Sequence, residues 1–226
     1  MREIALDTET TGLNAKGDDR VVEIGCVELV NHVPTKNTFH QYVNPERDMP
    51  DAAFAVHGLS AEFLKGYPVF ADVAEAFLDF IGDAPLVIHN ASFDMGFLNA
   101  ELARLGRPAL SMDRAIDTVQ IARNRFPGSP ANLDALCRRF GIDNSNRDLH
   151  GALLDAELLG DVYLELMGGK QPDLVLAPEK SIQNTLDSDP VNRIRREARI
   201  FAPSAEEEAA HAAFLAKIDN PIWLRD

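Results

Sequence analysis

Ile4-Ala5-Leu6-Asp7-Thr8-Glu9-Thr10-Thr11-Gly12 is the stretch from which the rest of the chain can be read. Its apolar start predicts a short buried strand, and Thr10-Thr11-Gly12 predicts a turn at its end. Side chains alternate faces along a strand, so Asp7 and Glu9 project to the same side, about 7 Å apart. Taken alone, the pair reads two ways. Both acids mark the strand's exit into solvent, or they share a divalent cation, since hard cations such as Mg²⁺ take oxygen ligands. Residues far downstream separate the two readings.

At 226 residues the chain is long enough for one sizeable domain and an appendage. A hydrophobic content of 46% places it among globular proteins, and 26% charged residues keep it out of the disordered class. It has no apolar run of about 18 residues, so no spanning helix and no membrane partner are expected. The chain opens directly into a strand without a basic region and apolar core, so no secretory signal is expected. Cys26 and Cys137 sit singly inside apolar patterns and read as small buried hydrophobes of a reducing compartment, the cytoplasm. The net charge of −14 argues against independent binding to duplex DNA, which Lys and Arg drive by replacing counterions. It leaves room for a pocket that takes one strand end through metal ions.

Beyond the opening strand, residues 14–20 read as a loop. Val21 to Val30 is a strong β run, and Phe39 to Val43 a second one ending at Asn44-Pro45. Three strands in close succession predict an antiparallel meander. Residues 44–69 read as irregular, punctuated by Pro45, Pro50 and Pro68. Phe70, Val73, Ala74, Phe77, Leu78 and Ile81 fall at helical spacing, closed by Gly82. Leu86-Val87-Ile88 predicts a short buried strand leading into His89-Asn90-Ala91-Ser92-Phe93-Asp94 and a helix that ends at Gly106. Ile116, Val119, Ile121 and Ala122 predict another helix, stopped before Pro127. Asn132 caps a helix to Phe140, with Gly141 as its stop. Gly151 to Met167 predicts a long helix. The order of elements gives an α/β or α+β domain with a mixed sheet flanked by helices.

From Lys170 the composition changes. Residues 170–192 read as a linker, and Arg193, Arg195, Arg196 and Arg199 form a basic cluster. A last helix begins at Pro203-Ser204, with acids in its first turn, and runs to about Ile218. It is too small to bury a core of its own. The expected divisions are therefore 1–169, 170–192 and 193–226.

Three residues join the opening pair. Asp94 follows a strand at the start of a helix, His150 sits in a loop just before the long helix, and Asp155 lies within it. Singly, each has a plain reading: a first-turn helix charge, a cap-region polar residue, a solvated face. Asp155 fits its plain reading least, because it interrupts an apolar face.

Together, Asp7-x-Glu9, Asp94 and His150-x-x-x-x-Asp155 resemble the DEDDh superfamily of 3′→5′ exonucleases, which has an RNase H-like fold. Within it they resemble most the proofreading branch, the epsilon subunits of bacterial DNA polymerase III. Leu6 to Gly12, His89 to Asp94, Asn132 to Cys137 and His150 to Ala156 carry the likeness, over residues 3–169. The resemblance implies that Asp7, Glu9 and Asp155 ligate two divalent ions, Mg²⁺ or Mn²⁺. Asp94 would help directly or through water, and His150 would be the general base. Imidazole suits that role because its unperturbed pKa of about 6.5 lies near working pH. The backbone of Thr10, Thr11 and Gly12 would lie near the substrate's 3′ end, with Leu13 as a wedge and His57 holding the terminal nucleotide. Phe93 reads equally as a base-stacking ring or a core aromatic. The family often has a carboxylate five residues before that histidine, where Ala52 stands here beside Asp51.

Three functions meet these residues: a proofreading DNA exonuclease, a DEDDh exoribonuclease, and a non-catalytic polymerase scaffold. The filled catalytic set argues against the scaffold, and the tail against a free-standing ribonuclease. By the same resemblance the tail docks on the DNA polymerase III catalytic subunit through Phe201, Phe214, Ile222 and Trp223, and a small accessory core subunit is a further expected partner. Gln171-Pro172-Asp173-Leu174-Val175-Leu176 resembles the short peptides that bind the sliding clamp, with Gln171, Leu174 and Leu176 as anchors.

Overall fold

In the computed structural model the opening stretch forms β1 (Arg2–Thr10). It pairs antiparallel with β2 (Val21–Val30), and β2 with β3 (Val33–Tyr42). On its other edge β1 runs parallel to β4 (Leu86–Ile88), and β4 parallel to β5 (Ala115–Asp117). The five strands lie in the order β3-β2-β1-β4-β5, the mixed, helix-flanked sheet of an RNase H-like fold. The structure describes residues 1–147, 149–169 and 203–218. It divides into two compact units, one holding the described residues up to 169 and the other residues 203–218.

Alternation along β1 sorts its side chains between two cores. Ile4 and Leu6 pack with Ile24, Phe77, Ile88 and Phe97, the last three from α3 (Phe70–Ile81), β4 and α4 (Ala91–Arg104) in turn. Ala5 lies on the opposite face with Val27, Val87, Leu136 and Leu159, beneath α6 (Leu133–Phe140) and α7 (Ala152–Leu166). Asp7 and Glu9 continue the Ala5 face, so the pleat that buries the apolar half of β1 under α7 also turns both acids toward α7. Among the described residues no helix is long and apolar enough to cross a membrane.

Two expectations are corrected. Residues 44–69 are not wholly irregular: they hold α1 (Asp51–His57) and the single turn α2 (Ala61–Leu64). Both are too short to show a helical apolar repeat. Ile116 is not helical either. Residues 115–117 form edge strand β5, and α5 (Thr118–Arg125) starts after Asp117, whose side chain accepts from Val119 N and Gln120 N. Three residues beside a helix are too few to show a period, and sheet pairing with β4 decides them. The expected linker, basic cluster and the anchors Gln171, Leu174, Leu176, Phe201, Ile222 and Trp223 lie outside the described residues. The tail helix, α8 (Ala205–Leu215), has a capping box between Ser204 and Glu207, and its Phe214 is 60% exposed.

Gly25 sets how closely α7 approaches the sheet. It pairs with Asp7 across the β1–β2 ladder, and a Cβ at this position would lie 2.2 Å from the carbonyl carbon and oxygen of Ala152. Only a residue without a side chain lets the first turn of α7 rest on β2 beside Asp7. Gly25→Ala must push that turn, with His150 and Asp155 on either side of it, off the strand. Because backbone is on the far side of the clash, the cost should reach the upper end of overpacking, about 3 kcal/mol. Thermal melting should record that loss, with Asp155 too far from Glu9 for divalent-ion binding.

Candidate active site

The site forms where β1 outruns its parallel neighbour. β4 ends at Ile88, opposite Leu6, so the Thr8 N–H has no strand partner. Asp94, in the first turn of α4, takes its place: Oδ1 accepts from Thr8 N at 3.0 Å and from Thr8 Oγ1 at 2.7 Å. Asp94 is thereby pinned to the strand between Asp7 and Glu9 with 2% exposure. The bulge between Glu9 and Thr10 then ends the regular ladder and releases the chain into its turn. Asp19 holds that turn, accepting from Asn14 N at 3.0 Å and Thr11 Oγ1 at 3.2 Å, in space open only because residue 12 is glycine.

From the other side α7 presents Asp155, 2% exposed, and the loop before it presents His150. The His150 N–H donates to the Val56 carbonyl at 3.1 Å, tying this loop to α1. Ligand atoms of Glu9, His150 and Asp155 all lie within 4.8 Å of one another. Asp7 borders the same space.

So many acids in one place cannot all keep their charge unaided. Desolvation is the largest cause at Asp7 and raises its pKa well above the ordinary carboxylate value, with Asp94, Glu9 and Asp155 adding to it. Desolvation, Asp155, Glu23 and Asp94 together push Glu9 up to about 8. Asp94 rises to about 7, chiefly by desolvation and against the hydrogen bonds from Thr8. At Asp155 burial again works upward, but hydrogen bonds from Arg147 and His150 outweigh it and the pKa falls below the usual value. Clustered oxygen donors with raised pKa values fit a divalent cation, which replaces the missing positive charge.

Beside the acids lies a cleft of about 420 Å³, lined by residues 8–13, Pro50, Ala52, Val56, His57 and Phe93, among others. Leu13 stands out at its mouth, 87% exposed. His57 is buried; its Nδ1 accepts from Leu59 N at 3.0 Å, while Nε2 has no hydrogen-bond partner. Burial lowers the pKa of His57. With Nδ1 accepting, a neutral ring carries its proton on Nε2, a buried atom close to the Thr10 backbone at the wall of the cleft. Phe93 stacks on Phe97 with centroids 4.9 Å apart and also lines the cleft, so the base-facing and core readings of this ring coexist. Ala52 faces the cleft, whereas Asp51 is exposed and is not among the lining residues.

Four participants escaped sequence reasoning. Thr8 orients Asp94, and Glu23 stands directly across from Glu9 with His40 Nε2 at 2.7 Å from its carboxylate. Arg147 grips Asp155 and Asp134. None of these four has a periodic signal. A glycine inside a β run, Gly25, was the available sign of a close approach.

A mixed sheet in this order, with clustered acids and a cleft at the end of its central strand, is the architecture of the RNase H-like class. The family model described as exonuclease matches residues 4–163. The chain is 50% identical over 222 residues to DNA polymerase III subunit epsilon of Rickettsia conorii, covering 96% of each chain. It is 46% identical over 224 residues to the same subunit of Escherichia coli K12, covering 95% of this chain and 92% of the other. The chain belongs to this family of divalent-metal-dependent 3′→5′ exonucleases, in the branch of the DNA polymerase III epsilon subunits. Among solved structures it is similar to exonuclease X in complex with 5′ overhanging duplex DNA, with a TM-score of 0.57 and 27% identity over 74% of this chain and 90% of that one. The nuclease domain of 3′hExo, a DEDDh family member bound to rAMP, shares the fold at TM-score 0.63 and 20% identity, over 74% of this chain and 91% of that one.

The raised pKa values give a stability test. With the Glu9 pKa at about 8 in the folded chain and 4.5 as its ordinary value, the folded state binds the extra proton between those values. Its stabilising effect is present below about pH 4.5 and is lost as pH rises through about 8. Without metal, Glu9→Gln should therefore melt above wild type in mild alkali and converge with it in acid. Adding Mg²⁺ should reverse the order in alkali, as only wild type gains from the cation.

Proposed function

We propose that the chain is the proofreading 3′→5′ exonuclease subunit of a replicative DNA polymerase III, removing mispaired 3′-terminal nucleotides as 5′-mononucleotides. The observation that carries this reading is the group of Glu9, His150 and Asp155 at the end of β1, with Asp94 bonded to Thr8 and Asp7 feeling the charges of the other acids, in a chain similar to named epsilon subunits over nearly its whole length. Asp7, Glu9 and Asp155 would hold two divalent ions, Mg²⁺ or Mn²⁺, with Asp94 supporting them from its hydrogen bonds to Thr8. When bound, such ions supply the positive charge that activates water and stabilises the departing 3′ oxygen.

The chain's own residues do the rest. A frayed strand end enters the cleft beside Thr10, Thr11 and Gly12, with Leu13 wedged against the last base and Phe93 beneath it. The unpartnered Nε2–H of His57 donates to the terminal nucleotide; with Ala52 in place of a carboxylate, this donor is the polar group on that wall. His150 takes the proton from the attacking water, and its place in a loop lets it close over the substrate. A negative chain that takes only a strand end needs a partner to hold the duplex. The segment after residue 193, including the exposed Phe214, is read as the dock for the polymerase catalytic subunit, and residues 171–176 as a weak clamp-binding peptide.

With Mg²⁺ or Mn²⁺, the purified chain should release 5′-mononucleotides from single-stranded or 3′-mispaired DNA faster than from matched RNA. Asp7→Ala should abolish release, and His150→Ala should slow it by a factor of about 10²–10⁴ while metal still binds. Full activity in either variant refutes the assignment of roles. A chain ending at Gly169 should keep the nuclease and no longer co-purify with the polymerase; retention of the complex would place the dock elsewhere.

A further inference from the structure

The loop between α6 and α7 inserts a positive charge into the acid cluster that the nuclease reading leaves unused. Arg147 has a side chain only 7% exposed. Its Nε donates to Asp155 Oδ1 at 2.5 Å and its Nη2 to Asp155 Oδ2 at 2.7 Å, a two-pronged grip on both oxygens. Nη1 donates to Asp134 Oδ1 at 2.8 Å, and Nη2 also lies 2.9 Å from His150 Nδ1. A guanidinium in this position competes with a metal ion for Asp155. It keeps its charge at every working pH, so it can yield only by moving.

We propose that Arg147 is a built-in stand-in for the divalent cation: it neutralises Asp155 while metal is absent and lets go of that carboxylate when metal binds, remaining held by Asp134. This rests on the reading of Asp155 as a metal ligand. Asp134, in the first turn of α6, lies outside the ligand group and half in solvent, and Asn144 Nδ2 also donates to its Oδ1 at 3.0 Å. It is therefore a pivot on which Arg147 can stay while its grip on Asp155 opens. His150 changes with it. Its Nδ1 is engaged by Arg147 Nη2 for as long as the guanidinium stays on Asp155. Once Arg147 withdraws, His150 Nδ1, 3.3 Å from Asp155 Oδ2, is released from the guanidinium and the ring is free to move toward a substrate. The same movement that admits metal would thus ready the base.

The test is Mn²⁺ titration of the full chain by calorimetry, together with melting in the presence and absence of Mn²⁺. Arg147→Met should melt lower than wild type without metal yet bind Mn²⁺ more tightly, by a factor of about 5 to 150, the usual range for coupled sites. Asp134→Asn should weaken Mn²⁺ binding, and only in a chain that still has Arg147. Should the methionine variant not fold without metal, Arg147→Lys retains the charge, loses the two-pronged grip, and should tighten binding by a smaller factor. Equal or weaker Mn²⁺ binding in the Arg147 variants would show a structural brace and overturn the proposal. Wild type binding no Mn²⁺ at all would instead overturn the metal reading of the site.

Discussion

Mutual repulsion among four carboxylates at the end of one strand is the constraint on which this structure turns. Burial first, then the charges of Asp94 and Asp155, raise the proton affinity of Asp7 and Glu9, and burial raises that of Asp94. A fold tolerates such a cluster only when the packing that creates it is stronger than the repulsion it stores. Here the packing is the contact of α7 with β1 and β2. Its tightest point is Gly25, where backbone meets backbone with no side chain between.

Each acid is held by a different physical device. Asp7 and Glu9 are placed by strand alternation, with the apolar residues of β1 anchoring the register. Asp94 is fixed by an amide that the short strand β4 leaves unpaired, a need that a buried N–H cannot leave unmet. Asp155 is carried in by a helix and balanced by Arg147. Helix, strand edge and loop therefore converge on one cleft, and the groups that carry charge are attached to rigid elements. His150 is the exception. It lies in the loop before α7, half exposed and bonded through its backbone to α1.

The wall of the cleft shows a similar economy. His57 is buried with one nitrogen satisfied and the other without a partner, an arrangement that costs stability unless a ligand completes it. Burial lowers the pKa of this ring and so keeps a further charge away from the acid cluster.

Much of this was legible in the chain. The β run of β2, the apolar spacing of α3, the cap of Asn132 and the glycine stops at 82 and 141 depend on local chemistry, and the structure places those elements where they were expected, whereas β3, expected from Phe39, already starts at Val33. The paired acids of β1 were visible because strand alternation is a rule of period two. The likeness of four spaced motifs to one superfamily singled out Asp94, His150 and Asp155. Short elements were not legible: α1, α2 and β5 hold too few residues to show a period, and β5 exists only because β4 lies beside it. Arg147, Thr8 and Glu23 were hidden for a related reason. A salt bridge between residues 147 and 155, a hydrogen bond from 8 to 94 and a cross-strand pair of 9 and 23 have no signature in residue order. The sequence by itself determined the elements and the acids they carry, because propensity and periodicity act within a few residues. Only tertiary structure decided which charges meet, because that depends on distances closed by packing.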